Sequence, residues 1–204
     1  RELLTGIGVD PAAVSSGKHC VDFAKIAAFI EVHIEQSARL DNAVTDRVGV
    51  VTGIRGLIRH RTIQAIGETA HAGAVDFPYR KDAALACARF SSRLYDFWQH
   101  ELSLGRDLVA TTGVIRTSPS ASMNKIAGEC IVSLDARSLS AAELNLFEKK
   151  VEAILQETAE ETGGIFKTDP LMRIAPVEAD EGVMKKLETS ADILKIGTQR
   201  MPSG

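Results

Sequence analysis

Two stretches of this chain carry a single apolar stripe at helical spacing, and the pattern around them turns to alternation. Over 82–99, Ala83, Cys87, Phe90, Leu94 and Phe97 recur at spacings of four and three, one face of a helix. Further on, Leu144, Phe147, Val151, Ile154 and Thr158 do the same, while Glu148, Lys149, Lys150, Glu152 and Glu157 fall mostly elsewhere. A helix with one apolar face must bury it against another layer. Strands supply that layer. Cys130, Val132, Leu134 and Ala136 alternate with Ile131, Ser133, Asp135 and Arg137 at the strand period of two. The β-rich runs 48–54 and 57–66, separated by Gly53 and Gly56, read as a hairpin or a bulged strand pair. A mostly apolar and threonine strand over 108–115 is broken by Ser118-Pro119-Ser120, and 165–168 reads as a short strand. The block 48–168 therefore reads β-β-α-β-β-α-β. It predicts an α+β fold, an open-faced sandwich with an antiparallel sheet and two helices on one face.

The helix ends are marked. Ser140 can cap the second helix, with Glu143 three residues on completing a capping box, and Gly163-Gly164 ends it. The flanks are thinner. Residues 1–20 read as a short helix at Glu2, Leu3 and Leu4 followed by a Gly/Pro/Ser loop. Helix formers follow over 21–29, then an alternating strand over 29–36 and a turn at Asp41-Asn42. Downstream, a last helix runs from about 181 to 194, and Met201-Pro202-Ser203-Gly204 signals a loop. Neither flank completes a domain, so 48–168 reads as an insertion and 1–47 and 169–204 as partial segments of a parent domain. A chain that starts at Arg1 without Met, inside a helix, reads as an excised piece of a longer protein.

Composition narrows the function. With 24 basic and 27 acidic residues the formal net charge is −3, so no basic excess favours nucleic acid and no polybasic block favours an anionic membrane. Apolar stretches are too short to span a bilayer. The three cysteines, Cys20, Cys87 and Cys130, are odd in number and form no Cys-x-x-Cys pair. That argues against a disulfide framework and for a reducing compartment such as the cytoplasm, with each cysteine a small buried apolar residue. No Gly-rich phosphate loop, Gly-x-Ser-x-Gly elbow or zinc ribbon is present.

The residues that could carry chemistry are few. In Ile30-Glu31-Val32-His33-Ile34-Glu35-Gln36, a strand would put Glu31, His33 and Glu35 on one face. An imidazole between two carboxylates suits a divalent metal, although a hydrogen-bonded histidine on a polar sheet face gives the same pattern. His71 sits among small residues in Thr69-Ala70-His71-Ala72-Gly73, open to a ligand and able to donate to a developing oxyanion, or simply exposed. Arg137 and Asn124 suit a carboxylate, through a planar fork of donors and an added amide; a surface ion pair with Asp135 is the plainer reading of Arg137. His19, His60 and His100 receive no role.

In order, these motifs resemble the amidase/hydantoinase/carbamoylase family of metal-dependent exopeptidase-like hydrolases, which includes N-carbamoyl-L-amino-acid hydrolases, allantoate amidohydrolases and β-ureidopropionases. The resemblance is carried by Glu31-Val32-His33-Ile34-Glu35-Gln36, the run Val48–Ile54, Gly67-x-x-x-His71-Ala72-Gly73, Arg80-Lys81-Asp82-Ala83, Asn124 and Leu134-Asp135-Ala136-Arg137, and it spans nearly the whole chain. It implies a ferredoxin-like lid over 48–168, inserted in an α/β zinc-exopeptidase-like catalytic domain and forming a homodimer. It implies two divalent ions (zinc, manganese, nickel or cobalt), with His33 a ligand and the site incomplete in this chain. Gln36 would contact the ureido end of a small carbamoyl or ureido acid. Asn124 and Arg137 would hold its carboxylate, and His71 would reach into the partner's site to stabilise the tetrahedral intermediate. Alone, such a piece should bind metal weakly and not catalyse hydrolysis. The other readings are a non-catalytic dimerisation module and an aminoacylase or peptidase of the wider superfamily.

The chain departs from the family pattern in places. Ser37 stands where Gly usually follows the Gln, Ala74, Val75 and Asp76 replace Thr-Thr-Pro, and Lys125, Ile126 and Ala127 replace Val-Ile-Pro. These changes bear on the substrate rather than the fold.

Overall fold

Alternation over Glu129–Ser138 sets the core. In this computed structural model, which describes residues 2–17 and 21–204, every second residue of that strand is buried, including Cys130, Val132, Leu134 and Ala136. The chain divides into two units, Arg1–Ala38 and Arg39–Gly204.

The first unit holds two short helices, α1 (Glu2–Gly6) and α2 (Pro11–Ser15), and a 3-10 turn at Phe23–Lys25. Asp10 caps α2 by accepting from Ala12 N at 2.8 Å, with Pro11 in the first turn where no N–H is needed. Helix formers over 21–29 yield only the single 3-10 turn. The expected strand over 29–36 does not form. Its residues join no ladder among the described residues, and Ile30, Val32 and Ile34 stay 55%, 96% and 78% exposed. Alternation fits a residue to a pleated surface, but a strand also needs a neighbour to take its N–H and C=O groups. His19 and Cys20 lie outside the described residues.

The second unit begins with β1 (Asp46–Ile54) and β2 (Gly56–Ile66), then β3 (Ala70–His71), α3 (Ala83–Ser103), β4 (Val109–Thr111) and β5 (Ile115–Thr117). It continues with β6 (Lys125–Ile126), β7 (Glu129–Ser138), α4 (Ala141–Thr162), β8 (Ile165–Thr168) and β9 (Met172–Ile174). It ends with β10 (Val177–Glu178), α5 (Glu181–Ile193) and β11 (Gly197–Ser203). The large sheet has the order β4-β7-β2-β8, with β5 also on β7 and β9 also on β2, all antiparallel. One buried cluster joins Ala83, Cys87, Phe90 and Leu94 of α3 and Leu144, Phe147, Val151 and Ile154 of α4 to Ile58, Ile63, Val132 and Leu134 of the sheet. The other sheet face carries Asp135 and Arg137, half-buried.

The expected pairing of 48–54 with 57–66 is not found. β1 lies in a separate sheet, antiparallel to β10 and parallel to β11, while β2 pairs with β7, β8 and β9. The chain crosses between sheets at Arg55-Gly56. A Cβ on Gly56 would stand 2.5 Å from Pro176 N and 2.6 Å from Ile174 O, so this crossing requires glycine. Arg55 pins it, donating its amide to Ser203 O (2.8 Å) and its guanidinium to Asp107 (2.5–3.0 Å). Asp107 also accepts from Leu139 N at 2.8 Å. The strand expected over 108–115 is split into β4 and β5.

Local signals explain the helices. Asp82 caps α3 by accepting from Ala84 N and Leu85 N. Ser140 caps α4 through Glu143 N, while the Glu143 carboxylate turns to the Ser138 hydroxyl (2.8 Å), which itself accepts from Ser140 N (2.9 Å). The capping box is thus relayed through Ser138. Gly163, at φ 64°, ends α4 in the left-handed region. Cys87 and Cys130 are free and buried. Burial, reinforced by Cys130, pushes the Cys87 thiol up to about 12.

Candidate functional site

The site residues gather at three places. The first is a short ribbon that prolongs the β2–β7 ladder. Gly67 N donates to Gly128 O (2.9 Å) past the last β2–β7 pair, and β3 then meets β6, with Ala70 opposite Ile126 and His71 opposite Lys125. One residue further, Ala72 N donates to Asn124 O at 2.9 Å, so His71 and Asn124 are neighbours.

Both side chains are exposed and oriented. His71 Nδ1 accepts from Gly73 N at 3.1 Å, so the neutral imidazole carries its proton on the outward Nε2. Asn124 Oδ1 accepts from the Ser122 hydroxyl at 2.8 Å, which leaves its NH2 as the free end. Each side chain thus offers a donor suited to an anionic oxygen. The loop is held at its base by Glu68 N to Lys81 O and Ala83 N to Ala127 O, both 2.8 Å. Nearer the tip, Arg80 donates to the carbonyls of Val75 (2.9 Å) and Ala72.

The second place is the far end of β7. Arg137 donates through Nε to Asp135 Oδ1 at 2.7 Å. Arg59, opposite Asp135 in the ladder, donates through Nε (2.8 Å) and Nη2 to Oδ2. Burial works against ionisation of Asp135, but the bonds and charges of Arg137 and Arg59 outweigh it and hold the carboxyl below its usual range. The Arg137 terminal nitrogens make no hydrogen bond among the described residues and remain available to a carboxylate. Arg137 is eight residues beyond Glu129, where β7 begins, and His71 lies off the opposite end. At roughly 3.3 Å per residue the stretch of β7 that lies between them is about 25 Å long. The fold joins His71 to Asn124 and separates both from Arg137.

The third place is in the first unit. His33 Nδ1 is 2.6 Å from Ile34 O; a carbonyl only accepts, so Nδ1 carries the proton and Nε2 keeps its lone pair. That is the tautomer a metal ligand requires, and the ring is exposed. Gln36 is exposed at a bend, and Ser37 turns its hydroxyl to Glu35. Among the described residues no three His, Cys, Asp or Glu side chains gather to hold a metal ion. His33 thus fits one position of a metal site whose other ligands are not gathered here.

Two partners escaped the sequence. Arg59 lies 76 residues from Asp135, and only the strand register brings them together. His60, read as roleless, is 3.1 Å through Nδ1 from Asp169 Oδ1, 109 residues away. Asp169 also accepts from Arg61 N and Thr62 N at 3.2 Å, closing the gap between β8 and β9 at the irregularity in β2. Neither spacing carries a signal in a single sequence.

No family model matches the chain. Known proteins do. It is 27% identical over its full length to an N-carbamoyl-L-amino-acid amidohydrolase of Paenarthrobacter aurescens, covering 48% of that protein. It is 31% identical over 86% of its length to a ureidoglycolate hydrolase of Arabidopsis thaliana, covering 36% of it. In space, 84% of the chain superposes with a TM-score of 0.76 and 25% identity on 40% of a hydantoinase/carbamoylase family amidase from Burkholderia multivorans. The chain is similar to amidohydrolases and to amidases of the hydantoinase/carbamoylase family. The motif resemblance and the mixed α/β fold agree with that similarity. The chain spans about half or less of the length of these relatives. Among the described residues no helix is long and apolar enough to cross a membrane.

Proposed function

We propose that this chain is part of a metal-dependent amidohydrolase that cleaves the non-peptide C–N bond of N-carbamoyl amino acids or related ureido acids. In this reading the chain holds an inserted, ferredoxin-like lid, expected over 48–168 from the sequence, between two segments of the catalytic domain. Strand pairing supports edges for the insert near Arg55 and Ala175, because β1, β10 and β11 share one sheet and β9 joins the other.

The observation that carries the proposal is the separation of His71 and Asn124, on the β3–β6 ribbon beyond one end of β7, from Arg137 at its other end. A ureido acid is far shorter than that distance, so one copy cannot bring all three to one substrate. Two copies can, if the lid of one lends His71 and Asn124 to the site that holds Arg137 of the other. The enzyme is then a homodimer paired through its lids. Arg137 takes the substrate carboxylate through its terminal nitrogens, with Asp135 and Arg59 fixing its plane. Gln36 meets the ureido end. Nε2–H of His71 donates to the oxygen of the carbamoyl carbon as it gains charge. His33 would hold one of two divalent ions through Nε2. Such ions, when bound, supply hydroxide at neutral pH and polarise the carbonyl.

Ammonia release by the intact enzyme from an N-carbamoyl amino acid, allantoate and ureidopropionate, with and without a chelator, tests the reading. Chelator-sensitive release from at least one is expected. No release from any of them in the metal-loaded enzyme would overturn it and leave a dimerisation module.

A further inference from the structure

We propose that Arg80 is a positioning residue for His71, fixing which imidazole nitrogen carries the proton. This deepens the reading of His71 as an oxyanion donor and rests on it.

The link runs through a single peptide group. Arg80 donates through Nη2 to Ala72 O and through Nε to Val75 O at 2.9 Å. The Ala72 carbonyl and the Gly73 N–H belong to the same planar, trans peptide, so they point in opposite directions. With its oxygen held by Arg80, that peptide aims its N–H at His71 Nδ1, 3.1 Å away. The guanidinium charge also polarises the group and strengthens its N–H as a donor. Nδ1 must then accept, and the proton stays on Nε2, the nitrogen that faces outward.

The rest of the loop supports this assignment. Ala74 N donates to His71 O at 3.0 Å, which closes the turn under the ring. Tyr79 N to Asp76 O (3.0 Å) and Arg80 N to Phe77 O (3.2 Å) fold 76–80 into the 3-10 turn Phe77–Tyr79 that brings Arg80 back beneath the tip. Arg80 is half-buried and pairs with no carboxylate among the described residues, so its donors are committed to the loop. Lys81 instead pairs with Glu68, and Asp82 caps α3. Arginine is required for geometry as well as charge, because only a planar fork reaches two carbonyls three residues apart at once.

Nitrogen-15 NMR of the His71 ring in the 204-residue chain, above the range where imidazole protonates, reads the assignment directly. Nδ1 should appear unprotonated and Nε2 protonated. Arg80→Gln should relax the ring to the tautomer mixture of free histidine while the α3–α4 core keeps its methyl spectrum. Arg80→Lys, with one donor group in place of the fork, should fall between the two, and it stands in if Arg80→Gln does not fold. In the intact enzyme Arg80→Gln should lower kcat by about tenfold with KM nearly unchanged. A folded Arg80→Gln (or Arg80→Lys, if it is the one that folds) whose ring keeps the pure Nε2–H form overturns the proposal. So does an unchanged kcat in Arg80→Gln when His71→Ala lowers it. An unchanged kcat in His71→Ala itself would instead strike the oxyanion reading.

Discussion

Asp135 holds Arg137 by Nε alone, at 2.7 Å, and takes Arg59 on its other oxygen. The arrangement is side-on. It fixes the plane of the Arg137 guanidinium and leaves the two terminal nitrogens, the pair that matches a carboxylate, pointing away from the bridge.

Arg137→Ala in the intact enzyme should therefore raise KM far more than it lowers kcat. A charged hydrogen bond contributes about 1.5–3 kcal/mol, so the rise should be on the order of 10- to 100-fold. Arg137→Lys should recover little of it, because an ammonium has no fork. Steady-state kinetics on a carbamoyl amino acid check both, and unchanged KM in either variant removes Arg137 from substrate binding.

The aspartates set an acid limit on stability. Burial disfavours ionisation of Asp107, yet hydrogen bonds from Arg55 and Leu139 N outweigh it and hold the carboxyl below its usual range; Asp135 is held low in the same sense by Arg137 and Arg59. A folded value below the unfolded one, near 3.9 for Asp, means that the unfolded chain binds more protons as the pH falls. This stabilisation is present above about pH 4 and is lost as the pH drops through the folded values. Denaturant midpoints should be flat from pH 7 to 5 and fall steeply below about 4. Asp107→Asn should be less stable at pH 7 by about 1–3 kcal/mol, since Arg55 is only 12% exposed and loses its partner, and should show a shallower acid slope. An unaltered slope would show that this pair does not control acid unfolding.

Cys87 should be inert in the native state. Its thiol is buried against Cys130 and pushed up to about 12, so at pH 8 almost no thiolate exists there. Peptide mapping after iodoacetamide treatment should find Cys87 unmodified in the folded chain and fully modified in denaturant. Native labelling at pH 8 would mean that α3 and β7 separate readily.

What the sequence reveals here depends on the kind of signal. Periodicity reports a face, so Phe90 and Leu94 on α3, Phe147 and Ile154 on α4, and the alternation of Cys130 to Ala136 were all legible. Periodicity does not report a partner. Val48 and Leu57 begin adjacent β-rich runs, yet β1 pairs with β11 near the other end of the chain while β2 takes β7. Ile30, Val32 and Ile34 have the alternation of a strand and no neighbouring strand among the described residues. The same limit governs the site. His71, Asn124 and Arg137 can be picked out by chemistry, but the grouping of the first two and the distance of the third follow from a two-residue ladder and a strand register. Arg80, legible only as a motif letter, acquires its part from two carbonyls in a loop that no periodicity describes.

The central claim is that each reaction centre draws its imidazole from one lid and its guanidinium from the other copy. Mixed dimers of a His71→Ala subunit with an Arg137→Ala subunit, purified by two different tags, test it most directly. The account predicts that one of the two centres in such a dimer is intact, so activity returns to about half that of the wild type although each parent dimer is strongly impaired. Mixed dimers no more active than the parents would contradict it, because each centre would then carry one defect of its own.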